Sequence, residues 1–447
     1  MSSFLPLVPP RLGQRGAAAA AFAASAVALF GSAALAMDVG GWYLGLRHTR
    51  NAADAAALAG AAAAAVHGEA QGRAAAFAMA ASNGFAAGSG VTVTVNLPPT
   101  AGTQAGNAEA VEVTISQRQG NIVAGILGAA APTLAARAVA MRVNQGDVCV
   151  LALGGAGLQI GGNSTVVTPG CVLASNRRGA DSVRLFGSAI VTAESIQAVG
   201  ECDGCATATL TERFREYAPP STNPFARLDA VEMPQTVTCA AQPSFSGGNR
   251  SQSYAPSIPP GGLASGQTPA AYCSTVQLSN GDTLSLQPGI YYFWNASLRV
   301  SGGNITCPSC VEGQSGVAIV FTGNNPNSIG TARMDGNGTM RLFAGPNQGI
   351  AAYNGILFHR DARATSDSGF DATIINGGSD TFFAGGQYFP SSTVTYNGNM
   401  ATGPNPCTAL AALSISVSGT ASTTLDNTRC SLYGTTLPMT TLVRLVE

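Results

Sequence analysis

The chain has 447 residues with 22 Lys+Arg against 23 Asp+Glu, a net charge of −1, which excludes the basic stripe a nucleic-acid binder needs. Charged residues are only 10% of it, well below the usual share of about a quarter, while 46% hydrophobic residues exclude disorder throughout. Three histidines leave few imidazoles for proton transfer or metal ligation, so hydrolase and metalloenzyme readings start at a disadvantage.

The first sixteen residues carry Arg11 and Arg15 and no acid. Residues 17–37 follow without a single charge; as a helix they would span about 31 Å, enough to cross a bilayer core. Two readings compete. One is an uncleaved anchor with residues 1–16 as a cytoplasmic tail. The other is a signal peptide cut after Ala36, since Ala34-Leu35-Ala36 fits the A-x-A pattern. The helical pattern continues past that point, which favours the anchor. Asp38 ends the uncharged run, and Trp42 and Tyr43 suit an interfacial aromatic belt.

Within residues 15–65 a set of ordered polar positions punctuates the alanine: Arg15-Gly16, Asp38-Val39-Gly40, Tyr43, Arg47, Arg50, then Asn51-Ala52-Ala53-Asp54 through Leu58 and Ala59. This segment resembles the amino-terminal domain of the TadE/TadG-like family of Tad/Flp pilus assembly. The resemblance implies an inner-membrane, single-pass protein with its bulk in the periplasm and other pilus-assembly membrane subunits as partners. A prepilin-type site after Gly16 would want Glu where Ala21 stands, and no D-x-S-x-S metal motif occurs. Read physically, Asn51, Asp54 and Leu58 fall at helical spacing, and the alanines between them make a smooth helix that other helices can approach closely.

Residues 66–146 read as a small α+β module. Arg73–Ser82 continues as helix until Asn83-Gly84; 91–95 and 111–115 alternate as strands; 121–134 reads as an apolar helix and 135–143 as a third strand.

From 147 onward a unit recurs: alternating apolar positions, a Gly or Gly-Asn step, then more alternation. Copies are Leu158/Ile160/Gly161-Gly162-Asn163/Thr165/Val167, Val183/Leu185/Gly187/Ala189/Val191, Leu298/Val300/Gly302-Gly303-Asn304/Ile305, Gly336-Asn337-Gly338/Met340/Leu342 and Leu413/Ile415/Val417/Gly419/Ala421. Short strands bent at Gly and Asn predict a mainly-β body of the parallel β-helix or solenoid type, in blocks 147–239 and 271–447 around a Ser/Gly/Pro-rich loop 240–270. An antiparallel β-sandwich is the alternative. The stretches 223–228, 286–293, 354–363 and 385–399 are also similar to the carboxy-terminal region of larger TadG-like proteins.

All ten cysteines lie in this half: Cys149, Cys171, Cys202, Cys205, Cys239, Cys273, Cys307, Cys310, Cys407 and Cys430. Their even number predicts an oxidising compartment. The simplest pairing joins sequence neighbours; the two C-x-x-C pairs, 202/205 and 307/310, leave a zinc site or a redox role as alternatives. Asp367, Asp371 and Asp380 cluster as a polysaccharide-enzyme, calcium or plain solvated-loop feature. His359-Arg360-Asp361 reads as the end of a strand, and His48 and His67 lie on the Ala-rich helix without acidic or cysteine companions. With no G-x-S-x-G, Walker A or dinucleotide fingerprint, no catalytic residue, cofactor or metal is assigned. The expected role is that of a non-catalytic, membrane-anchored structural or accessory part of a pilus system. The rivals are a released β-solenoid adhesin and a polysaccharide-active enzyme.

Overall fold

The computed structural model describes residues 14–447 apart from 89, 122–124, 126–127, 129, 243–244, 246–248, 335–337, 366–372, 376–380, 398–400, 406 and 438. The chain divides into two compact units, Met1–Val143 with Val443–Glu447, and Asn144–Leu442.

The first unit begins with one long helix, α1 (Gln14–His67), followed by α2 (Glu69–Ser82). Gly68, at φ 87°, makes the reversal between them, a conformation that only glycine adopts cheaply. Asn83 ends α2, its side-chain amide donating to the Met79 carbonyl at 2.9 Å. The two helices approach closely because they are smooth: a Cβ on Gly72 would stand 2.7 Å from the Ala64 Cβ. Strands β1 (Val91–Asn96), β2 (Ala110–Arg118) and β3 (Thr133–Ala152) follow, with β1–β2 and β2–β3 antiparallel. Ala52, Ala53, Ala56, Ala57 and Ala61 of α1 and Ala76 and Ala80 of α2 bury against Val111, Val113 and Ile115 of β2 and Ala136, Ala138 and Ala140 of β3. Thus the Ala-rich repeat packs on its own sheet. The chain end returns here: the Val139 amide donates to the Glu447 carbonyl at 2.8 Å. Arg137 holds both Glu112 and Glu447. Thr133 and Leu134 are strand, not helix, because β2 offers them ladder partners at Arg118 and Gln117; most of 121–129 lies outside the described residues.

In the second unit the strands form parallel ladders, an arrangement compatible with a β-helix. Among the described pairings of this unit, antiparallel contact is confined to a bridge between Ile258 and Ile290, so the ladders are not those of a sandwich. Each circuit of the chain contributes to three ladders. The first circuit supplies Val148–Ala152 of β3, then β4 (Leu158–Ile160), then the start of β5 (Thr165–Ser175). The next supplies the end of β5, β6 (Val183–Leu185) and the start of β7 (Ile190–Ala198). The Gly steps turn the corners. Gly187, Gly162 and Gly419 all have φ between 72° and 76°. They stack so tightly that a Cβ on Gly187 would meet the Gly162 oxygen at 2.8 Å, and one on Gly162 the Gly419 nitrogen at 2.9 Å.

Spatial order departs from chain order. From β3 the chain winds outward through β5 and β7, paired in parallel. It then crosses to the far end and winds back through Gly289–Trp294, Val317–Thr322, Ile356–Arg360 and Phe382–Tyr396. The last of these pairs with Thr408–Val417, which in turn pairs with β3 and β4. First and last circuits are therefore neighbours. Within the nominal 240–270 loop, Ser251–Tyr254 forms a strand parallel to Thr283–Leu286.

Alternation divides the buried side chains into two layers. One row, including Val150, Leu173, Ile196, Tyr291, Phe293, Ile319, Phe321 and Leu410, fills the interior of the ladders. The opposite row, including Leu151, Ala174, Tyr292, Val320, Tyr388 and Ala411, would face water. It is instead covered by the crossing segment through Phe225, Leu228 and Met233.

Candidate functional site

Two features stand out from the packing: an uncovered apolar helix and a polar cavity beneath the crossing segment. In α1, Phe22, Val27, Leu29, Phe30, Leu35 and Met37 are each at least 59% accessible. Within Ala19–Ala65 the most apolar 18-residue window has a mean hydropathy of 1.9, and none of that window is buried by the rest of the molecule. Such an exposed apolar surface in water has no compensating contact. The helix is thus long and apolar enough to cross a membrane. Arg15 and Gly16 lie in its first turns, Gly40 and Tyr43 on its exposed part. The helix runs on past Asp38 to His67, as the continuing pattern predicts, and Asp38 is buried at 3% accessibility and has a partner. Asn51 is exposed, Asp54 half-buried, and Ala52 and Leu58 pack toward the sheet.

The cavity lies entirely within the second unit, with a volume of about 280 Å³. Its floor comes from the strand Ile356–Arg360. Alternation there sends Arg360 inward, fully buried, where its guanidinium donates to the carbonyls of Gly330 at 2.9 Å and Ile329 at 3.0 Å. His359 therefore faces outward, into the layer covered by the crossing segment. In register beside it stand Val320 on one side and Tyr388 on the other. The His359 and Tyr388 rings stack at 5.7 Å, and the Tyr353 hydroxyl lies 3.1 Å from His359 Nδ1. Burial holds the imidazole pKa down, to about 4, despite the opposing charge of Asp361. It is neutral at physiological pH. Its Nε2 is buried and has no hydrogen-bond partner.

The crossing segment forms the rim. Asn223 accepts from the Phe225 amide at 3.0 Å and donates to the Tyr388 hydroxyl at 2.9 Å. After the short turn Ala226–Leu228, Asp229 accepts from that same hydroxyl with both oxygens, at 3.0 and 2.9 Å. Asp229 keeps solvent access on its outer edge, but burial of its inner side raises its pKa, and the Asp361 charge adds to this against the Tyr388 hydrogen bond. Glu232 is exposed at the rim. Asp361, 4% accessible, is paired with Arg363 at 2.6 Å and accepts from the Thr322 hydroxyl at 2.7 Å. Burial pushes its pKa up, but the hydrogen bonds and charge of Arg363 outweigh that and hold it low. Leu228, Val231 and Met233 give the wall an apolar side.

No protein-family model matches the chain, and neither does any curated protein or solved structure.

The cysteines are joined as Cys149–Cys171, Cys202–Cys205, Cys239–Cys273, Cys307–Cys310 and Cys407–Cys430. Each C-x-x-C closes on itself, which leaves no thiolate there for zinc. Among the described residues no group of three or more His, Cys, Asp or Glu side chains is placed to hold a metal ion. Asp367, Asp371 and Asp380 lie outside the described residues. His48 sets its ring edge against Phe85 at 5.1 Å, and His67 ends α1. Sequence reasoning placed His359-Arg360-Asp361 at a strand end, where they are, but missed Asp229, Glu232, Tyr353 and Tyr388. The usable signal was the period-two alternation, which sets His359 opposite to Phe358 and Arg360.

Proposed function

We propose that this chain is a non-catalytic, single-pass structural or accessory component of a Tad/Flp-type pilus-assembly system. α1 would be the anchor in the inner membrane and the second unit a β-helix body on the periplasmic side. The observation that carries this reading is the bare stretch of α1: its large apolar side chains are exposed while the alanines further along the same helix are fully buried against the sheet. A helix used in two ways along its length fits lipid around one part and protein around the other. The five disulfides support an oxidising location for the body. The motif running from Arg15 to Ala59 supports the pilus assignment, and the scarcity of histidine the non-catalytic one. Other membrane subunits of the assembly are the proposed partners.

Membrane fractionation of native cells with N-terminal mass determination, followed by affinity purification from solubilised membranes, tests this. The expected result is an intact chain resistant to salt and carbonate washing, with all thiols blocked, co-purifying with pilus-assembly subunits. A mature start at Met37 in the soluble fraction would overturn the anchor. Recovery from membranes with no assembly subunit attached would overturn the pilus role and leave the anchor standing.

A further inference from the structure

The geometry points to the place where α1 leaves its bare apolar stretch as a phospholipid-binding surface, in which Arg47, Arg50 and Arg118 hold the phosphates of anionic headgroups. This rests on the anchor reading proposed above and extends it from a span to a headgroup contact.

Accessibility along α1 changes within two turns. Tyr43 and Leu44 are 61% and 67% exposed, whereas Thr49 and Ala52 are fully buried. Lipid surroundings would therefore give way to protein between residues 44 and 49. Arg47 and Arg50 stand about 5 and 9 Å beyond Leu44 along the axis, a depth comparable to a headgroup layer. Helical side chains lean toward the N-terminus, here toward the apolar stretch. The Arg47 guanidinium accordingly sits 5.8 Å from the centre of the Tyr43 ring, one turn back.

Two further segments of the same unit meet α1 at this level. A Cβ on Gly45 would stand 2.9 Å from Leu134 Cδ1 and 3.1 Å from Gln119 Oε1. Arg118, beside Gln119 at the end of β2, is exposed, and its amide donates to the Gly90 carbonyl at 3.1 Å. Phe85, just past α2, packs on His48. The stretches following α2 and β2 bring no charge: residues 74–108 and 119–136 contain neither acid nor base.

The arginines of this unit thus differ by position. Arg73 holds Glu69 at 2.7 Å, Arg137 holds Glu112 and Glu447, and Arg142 holds Glu109. Arg47, Arg50 and Arg118 are exposed and, among the described residues, make no ion pair. Asp54, one turn past Arg50, is half-buried and does not pair with it; Asp38 is buried and already has a partner. The guanidinium fork matches phosphate. A free phosphate would find no enclosing cage here, because all three side chains are open to solvent. A bilayer presents its phosphates at one level beside the helix, as these arginines are presented.

Quenching of Trp42 fluorescence in vesicles tests this. The full chain carries Trp294→Phe, which keeps an aromatic ring and leaves Trp42 as the only indole. The vesicles mix phosphatidylcholine with phosphatidylglycerol, and bromine is placed on the chains of one lipid or the other at equal mole fraction. Trp42 lies within two turns of Arg47, so the readout is local to this end of the span. Brominated phosphatidylglycerol should quench at least about twofold more strongly than brominated phosphatidylcholine. The preference should vanish in the combined variant Arg47→Gln, Arg50→Gln, Arg118→Gln, whose exposed, unpaired positions should leave melting unchanged. In the parent it should also fall in about 1 M salt, where the screening length is about 3 Å. Equal quenching by the two lipids in the parent, or a preference that the combined variant keeps, would overturn the proposal and leave the anchor standing. Absence of quenching by either lipid would remove the anchor and this surface with it.

Discussion

His359 is neutral because burial removes the hydration that its charged form requires, and that has a consequence for stability. An unfolded imidazole titrates near 6.5 and the folded one at about 4. A depressed base is fully stabilising above the unfolded value, and its contribution is lost as pH falls toward the folded value. Between pH 6.5 and 5 the loss from this group alone is about 2 kcal/mol. Glu112 is also depressed, to about 2: burial would raise it, but the Thr100 amide, Asn96, Arg137 and the Thr100 hydroxyl together outweigh that. Its stabilisation is present above 4.5 and is lost only below that, so the window from 6.5 to 5 isolates His359. Asp229, raised chiefly by burial, works in the opposite direction. Urea unfolding of the second unit should therefore shift to lower midpoints from pH 6.5 to 5, and His359→Gln should flatten that slope. An unchanged midpoint in the parent would show that the imidazole reaches solvent.

Among the elements, the disulfides divide by the loop they close. Cys407–Cys430 spans 23 residues and Cys149–Cys171 spans 22, whereas Cys202–Cys205 and Cys307–Cys310 span 3. Chain entropy assigns about 3 kcal/mol to each long closure and about half that to each short one. Replacing Cys407 and Cys430 together by serine should lower stability about twice as much as replacing Cys202 and Cys205. Denaturant midpoints under non-reducing conditions measure both, and equal losses would mean that the short pairs hold more than their own turn. The turns themselves were legible: Gly162, Gly187 and Gly419 stand where the recurrent strand–Gly–strand unit placed them, because a left-handed corner leaves a local composition. The strand at 133–134 was not. An apolar run of small residues fits helix and strand equally, and pairing with β2, more than a dozen residues upstream, decided between them.

Across the second unit, the governing feature is the closure of the last circuit on the first. Thr408–Val417 lies between Phe382–Tyr396 and β3–β4, so removing it opens the middle of the ladders rather than an end. Deletion of residues 408–447 should abolish the cooperative thermal transition of this unit and yield aggregating protein by size-exclusion chromatography. A truncated chain that stays monomeric and melts cooperatively would mean that the two blocks fold independently. With partners this far apart in sequence, folding waits on slow loop closure.

By itself, the sequence determined the long apolar helix, the mostly-β character of the remainder and the positions of the corners. Each depends on composition or periodicity within a window of ten to twenty residues. Only the tertiary structure decided the order of the circuits, the covering of the outer row by residues 223–233, and the meeting of Asp229 and Glu232 with His359 and Asp361. Those depend on pairing between segments more than a hundred residues apart, whose energy comes from burial and ladder hydrogen bonds that no local pattern records.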